Sequence, residues 1–423
     1  MTVAALSVGK RCLTPFPRVR PPGPRPSIMK PAVWCPILMA ATVWLQPVMQ
    51  CPVACAEGDW EITAQSEEAL AHGLQWLARN QGAQGNWESN DLGLVGMGAL
   101  AFMAAGHLPG RGHYGDTVQR ALDYVIRNQQ PSGLLNIAGS QRDMYNHGLS
   151  TFVLGQAYGM TGDARVGGVL DRALKRIAET QCDDGGWNYE ATRGPNGHDL
   201  SLAVMQAKAL RSAVDSGLDV SPRVIQLAIS GVRLYYSPIG CPRNASEETQ
   251  KQYPGQFNYN RGGNDHHLAM AAAGVVCLQE FAQYDDWRIE KNMEVICEAI
   301  RGHDHPQKAR SRSRPKSRAL FDPYTLYYIG QALYQVGGAR WKECYPLLRD
   351  GLIASQAHGG TSPGGGNSRD DGVWHSGGHV GGRPGELYMT AVACFILAMP
   401  NRYLPILQEG HIDSLREQFQ QKK

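Results

Sequence analysis

The sequence predicts an all-α protein whose helices pair off around a ring, an (α/α)6 toroid. Three observations carry the prediction. A helix that ends in glutamine and runs into a glycine turn recurs along the chain, and internal repeats of this size mark repeat architectures. The helix before each turn is amphipathic, whereas the helix after it is apolar on every side, as expected of an outer helix and a buried inner one. Strand signals, which alternate apolar and polar residues between turns, are nearly absent.

The chain opens differently from its body. Residues 1–56 hold six basic residues, no acidic ones and the run PRVRPPGPRP. From Met29, which can serve as the true start, one lysine leads into a short apolar stretch ending in Ala54-Cys55-Ala56. This is the pattern of a secretory signal peptide and predicts an exported protein. Pro36 and Pro47 interrupt the apolar run, which is short for a membrane span. A lipoprotein-type anchor at Cys51 or Cys55 and peripheral membrane contact stay open. The body, 57–423, is read as a single domain. The six leader cations exceed the chain's net charge of +3, so the body is mildly acidic, which argues against a nucleic-acid partner. The basic run KARSRSRPKSR at 308–318 lacks apolar anchors and reads as a solvated loop. Six scattered cysteines remain in the body, with no CxxC or Cys/His zinc spacing, so no metal and no cofactor are assigned.

Gln81, Gln129, Gln181 and Gln356 each precede a glycine by four residues, as in IAETQCDDGGW at 177–187. Trp87 and Trp187 follow two residues after Gly85 and Gly185. Outer helices are predicted near 66–81, 116–129, 166–181, 222–235, 287–301 and 341–356. In the second, Ala121, Val125 and Ile126 are placed inward. Inner helices are predicted near 92–106, 146–159, 199–213, 266–282, 323–336 and 386–399, rich in Ala, Gly and large apolar residues. An open solenoid of helix pairs is the alternative architecture. Asp183 and Asp184 lie inside the turn, where other copies carry Ala83-Gln84 and Pro131-Ser132, and are read as turn formers.

The Q-x3-G-x-W turn resembles the repeat of squalene and oxidosqualene cyclases and, more loosely, of protein prenyltransferase β subunits. The resemblance spans nearly all of 65–410. Segments such as MYNHGLSTFVLGQAYGMTGD and DPYTLYYIGQALYQVGGARW are similar to short exported bacterial squalene cyclase-like repeat proteins. The resemblance implies the toroid fold and a hydrophobic small molecule or lipid in a central cavity. Two departures limit it. No D-x-D-D acid motif is present, and Tyr388 and Met389 stand where a prenyltransferase shows Tyr-His, so its zinc histidine is missing.

In such a ring every inner helix starts at one end, so those starts converge on one mouth. They carry Asp143, Tyr145 and His147; His198 and Asp199; Asp265, His266 and His267; Asp322 and Tyr324; Glu386 and Tyr388. Counting back ten residues from Ala157, Ala209 and Cys277 makes His147, Asp199 and His267 near-equivalent. The candidate catalytic group is Asp199 as a proton donor partnered by His198 or His147. Tyr145, Asp265, His266, His267, Tyr324 and Tyr388 are candidate cavity-mouth residues. Asp, Ser and Asn at helix starts also serve simply as caps. The glycine cluster at 358–386 carries His358, His375 and His379 but is read as a loop at the mouth. The expected function is binding of an apolar, isoprenoid-like ligand, with acid-initiated cyclisation or isomerisation where it is catalytic. The alternatives are a non-catalytic scaffold for protein or polysaccharide, or a carbohydrate-active barrel with paired carboxylates.

Overall fold

The computed structural model describes residues 60–303, 320–358, 370–376 and 385–408. The leader, the basic run at 308–318 and His379 lie outside the described residues. The body forms the expected toroid. The outer helices are α1 (Ala64–Asn80), α3 (Gly115–Arg127), α5 (Ala164–Thr180), α7 (Pro222–Arg233), α9 (Trp287–His303) and α11 (Gly338–Ser355). The inner helices are α2 (Leu92–Ala104), α4 (Asp143–Thr161), α6 (Leu200–Asp215), α8 (Leu268–Glu280), α10 (Pro323–Val336) and α12 (Glu386–Ala398). Each inner helix packs on the next, and α12 returns to α2, which closes the ring and excludes the open solenoid. Between α7 and α8 an excursion holds a one-turn helix, Glu247–Gln250, and a two-stranded antiparallel ribbon, β1 (Tyr236–Pro238) with β2 (Gly255–Phe257).

Burial follows the two sequence patterns. Every residue of α2 except Leu94 is buried, and every residue of α8 except Leu268. Outer α5 buries a stripe (Val166, Val169, Leu170, Ala173, Leu174, Ile177) and leaves its charges outside, the spacing of one helical face. In α3 the inward set is Val118, Ala121, Leu122 and Val125, with Ile126 half-buried at the stripe's edge. Small residues set the inner spacing: a side chain at Gly155 of α4 would collide with Ser212 of α6.

The repeated glutamine is a staple between successive outer helices. The side-chain amide of Gln181 donates to Gly185 O (3.2 Å) within its own turn and to Val224 O (2.9 Å) of α7. Gln81 does the same to Gly85 and Thr117, and Gln129 to Gly133 and Val169. Gly185 has φ +91° and presses on the Leu227 carbonyl, so only glycine fits there. The tryptophan locks the same turn: Trp87 and Trp187 donate their indole N–H to Leu77 O and Ile177 O.

The last copy departs from the sequence reading. Gln356 donates to Gly372 O and to Ala69 O of α1, and Trp374 donates to Leu352 O. The fourth motif is therefore Gln356…Gly372-x-Trp374, with the glutamine–glycine spacing stretched from 4 to 16. Gly360, at the expected spacing, lies outside the described residues. Asp183 and Asp184 are turn formers as expected. Cys182 and Gly185 close the turn around them (3.0 Å), Asp183 pairs with Arg193, and Asp184 accepts from Gly186 N–H and pairs with Arg261. The six body cysteines stand as free thiols. No helix among the described residues is long and apolar enough to cross a membrane.

Candidate functional site

The inner helices all present their N-termini at one mouth, and aspartates cap three of them. Asp91 caps α2 by accepting from Leu94 N–H (3.1 Å), and Asp322 caps α10 by accepting from Tyr324 and Thr325 N–H (both 3.1 Å). Asp199 caps α6 through Ser201 N–H (2.9 Å) and Leu202 N–H (3.3 Å). His267 takes this position on α8 and Arg142 on α4, neither with a side-chain cap bond. Carboxylates suit these positions because the first N–H groups of a helix lack internal partners.

These ends enclose a cavity of about 670 Å³ to which all six inner helices contribute. Its wall mixes aliphatic side chains (Leu94, Leu149, Met205, Leu268, Met270) with five tyrosines: Tyr145, Tyr189, Tyr259, Tyr324 and Tyr388. Its rim carries Asp91, ion-paired with Arg142 at 2.9 Å, together with Asp322 and His267. Further along the inner helices the ring interior is filled. Lys208 is buried there, hydrogen-bonded to Gln331, ion-paired with Glu280 (3.4 Å) and seated 4.2 Å from the Phe152 ring centroid.

Behind the tyrosines sits Asp199, with no exposed surface. Its carboxylate accepts from the Ser201 hydroxyl and meets Nδ1 of His198 at 3.0 Å. Tyr145 donates to Ser201 Oγ, and the Tyr145 and Tyr324 hydroxyls are 3.5 Å apart. Tyr189 and Tyr259 share a hydrogen bond, and Tyr189 stacks on Tyr145 with ring centroids 5.8 Å apart. A continuous polar chain thus runs from the cavity wall through Tyr324, Tyr145 and Ser201 to Asp199 and His198. The His198 side chain is 56% exposed and reaches solvent. Burial is the largest influence on the phenols and raises all of their pKa values. The Asp199 carboxylate pushes Tyr145, Tyr189, Tyr259 and Tyr324 the same way. Tyr388 is likewise raised by burial, and then by Asp322 and Asp91. The wall therefore presents neutral hydroxyls at neutral pH.

Of the residues expected at the mouth, Tyr145, His267, Tyr324 and Tyr388 line the cavity, and His198 and Asp199 stand together behind it. His147 does not join them. It lies one turn into α4 and is fully buried, with Nδ1 accepting from Leu135 N–H (3.1 Å) and Nε2 3.0 Å from Ala173 O of α5. Burial pushes its pKa down to about 4, so it is a neutral strut between an inner and an outer helix. The ten-residue count failed because α4 starts earlier than its neighbours, and Arg142 occupies the position matching Asp199. Asp265 and His266 are exposed beside the rim. Asp265 accepts from Tyr259 N–H, and His266 has φ +48° with its N–H on Asn258. Asp143 ties down its approach loop through Asn136 and Ala191. Glu386 pairs with His375 at 2.8 Å on the surface.

Sequence reasoning missed Asp91, Arg142, Tyr189 and Tyr259. Asp91 was legible as the residue opening the apolar run of α2. Tyr189 and Tyr259 sit in irregular loops, where no periodicity marks a direction.

Fold and site together define the class: an α/α-toroid protein with a ligand-sized, tyrosine-walled mouth cavity. An inactive variant of an α-1,6-mannanase of Salegentibacter sp. HEL1_6, in complex with α-1,6-mannotriose, overlays with a TM-score of 0.51 at 11% identity. That overlay covers 83% of this chain and 100% of the mannanase. Another structure of that mannanase gives 0.51 at 10% identity over 80% of this chain and 98% of that one. A type II terpene cyclase from Scytonema, with geranylgeranyl dihydroxybenzoate, gives a looser overlay of 0.48 at 13% identity, over 80% and 98%. No family model and no curated protein matches the chain. The likeness is one of fold.

Proposed function

We propose that the protein binds a small, mostly apolar molecule with a polar end in the mouth cavity, an isoprenoid-like alcohol being the class that fits. The wall is the observation that carries this reading: aliphatic side chains interleaved with buried, neutral tyrosine hydroxyls. The volume of about 670 Å³ lies within the range of small-molecule sites. A phenol can donate to and accept from a ligand oxygen, whereas the aliphatic surface favours a hydrocarbon body. Any turnover would be proton transfer along Tyr324, Tyr145 and Ser201 to Asp199, with His198 exchanging the proton with solvent. As arranged, the Tyr145 and Ser201 hydroxyls both donate toward Asp199, which suits a proton acceptor. Service as an acid would require these hydroxyls to turn.

The mannanase overlays contribute the fold alone. A glycosidase needs two carboxylates free to work across a bond. Here Asp91 is held by Arg142, and Asp322 is taken up by three cap contacts. Export rests on the charge and apolar pattern of the leader.

The test is calorimetric titration with farnesol and, separately, mannotriose. Farnesol should bind, and Leu94→Trp, which places an indole at the cavity wall, should weaken it at least about tenfold. Mannotriose binding that Leu94→Trp abolishes would reverse the assignment. Farnesol binding untouched by Leu94→Trp would place the ligand elsewhere.

A further inference from the structure

The stretched turn after α11 brings together three metal-ligating groups beside α1, none of which lines the mouth cavity. His72 is on α1, and His358 and Asp371 flank the neck of the insertion. One nitrogen of each histidine and one Asp371 carboxylate oxygen lie within 4.8 Å of one another. We propose that they form a binding site for a divalent transition-metal cation of the zinc type, which ties the last repeat to the first.

Three features position the groups before any ion arrives. Ala357 N–H donates to Val373 O and Gly372 N–H donates to Ala357 O, both at 2.9 Å, so the neck is pinned shut one residue inside His358 and Asp371. Gly372, at φ +89°, packs directly on the His72 carbonyl, and Arg79 of α1 donates to Asp371 O at 2.8 Å. The α1 helix is thereby fixed against the neck at His72 itself and again at Arg79. The His72 Nδ1 is buried and meets no hydrogen-bond partner among the described residues, a costly state for an imidazole nitrogen unless a ligand completes it. The corresponding residues in the other turns are Arg120, Arg172 and Leu227, whose carbonyls meet Gly85, Gly133 and Gly185. None of those three can ligate a metal, so the constellation belongs to the ring-closing turn.

The donor set selects the ion. Two imidazoles and one carboxylate suit zinc and its neighbours, whereas calcium and magnesium take oxygen ligands. Ligand atoms around tetrahedral zinc sit about 3.4 Å apart, so side-chain rotation, chiefly of exposed His358, closes the set. The fourth position would hold water. The sequence search for metal spacing passed over this site because His72 and His358 are far apart in the chain. Of the described histidines in the glycine cluster, His358 belongs to it and His375 is occupied by Glu386.

The test uses the full chain, untagged and stripped with a chelator, titrated with zinc sulfate at pH 7.5 by calorimetry. One zinc per chain is expected, with the thermal unfolding midpoint rising as zinc is added. His358→Ala is at an exposed position and should leave the fold intact. It and Asp371→Asn should each weaken zinc binding at least about tenfold and remove the thermal shift. His375→Ala should bind as the parent does. Absence of binding at 100-fold excess zinc, parental affinity in both His358→Ala and Asp371→Asn, or loss of binding in His375→Ala would each overturn the assignment.

Discussion

Replacing Gln356 by methionine tests whether the glutamine staple closes the ring. The side chain is 4% exposed, and its amide donates to Ala69 O at 2.8 Å and Gly372 O at 3.0 Å. Gln356→Met keeps the length of the side chain and removes both donors. Each hydrogen bond contributes about 1 kcal/mol net, and each carbonyl left buried without a partner costs about 1–3 kcal/mol. Because water can reach part of this turn, a loss of about 2–4 kcal/mol is expected. Gln129→Met is the control: it breaks the same pair of bonds, together with two exposed ones from Arg172, but Gln129 is only half-buried. Water that enters beside the half-buried side chain and the exposed Arg172 bonds can re-satisfy the two carbonyls, so the loss should stay near 1 kcal/mol. Urea unfolding followed by tryptophan fluorescence reads both variants. A chelator keeps metal at the neighbouring turn from contributing. A Gln356→Met loss no larger than that of Gln129→Met would refute the view that buried donors, rather than side-chain bulk, hold the ring shut.

Three other outcomes follow from the same structure. His147 is neutral and buried with a pKa near 4 against an ordinary 6.5, so the unfolded chain binds the extra proton between those values. Its stabilising contribution is complete above pH 6.5 and is lost as pH falls toward 4, a decline of roughly 2.5 kcal/mol by pH 4.5 that His147→Gln should remove from the pH profile of unfolding free energy. Gly185→Ala combines a φ of +91° with a backbone collision at Leu227, whereas Gly217→Ala has a similar φ of +78° and open space. The first should cost over about 3 kcal/mol and the second about 1, as measured by denaturant midpoints. Glu280→Gln leaves Lys208 buried without its countercharge and should cost about 3–5 kcal/mol, while Lys208→Met paired with Glu280→Gln should recover most of it.

The helices were legible because the signals that make them are local. Periodic burial of Val166, Leu170, Ala173 and Ile177 needs only one face of one helix. The turn around Gly185 is marked by Gln181 and Trp187, whose bonds to Gly185 O and Ile177 O stay within ten positions of it. The candidate site was half legible. Asp199 and Tyr324 stand at helix starts, and the ring brings those together. Tyr189 and Tyr259 come from loops whose path is set by what they pack against. His147 was misplaced by one helical turn, which is enough to send a side chain from the mouth into the wall.

Local chemistry in the sequence by itself determined the repeat, the alternation of outer and inner helices, and the end of the ring at which polar groups gather. Tertiary structure alone decided three further things: that Tyr145 and Tyr324 meet across the mouth, that the last motif spans Gln356 to Trp374, and that His72 faces His358 and Asp371. Each depends on the ring closing between chain segments far apart in sequence. That closure is set by the packing of all six pairs at once, and no single repeat encodes it.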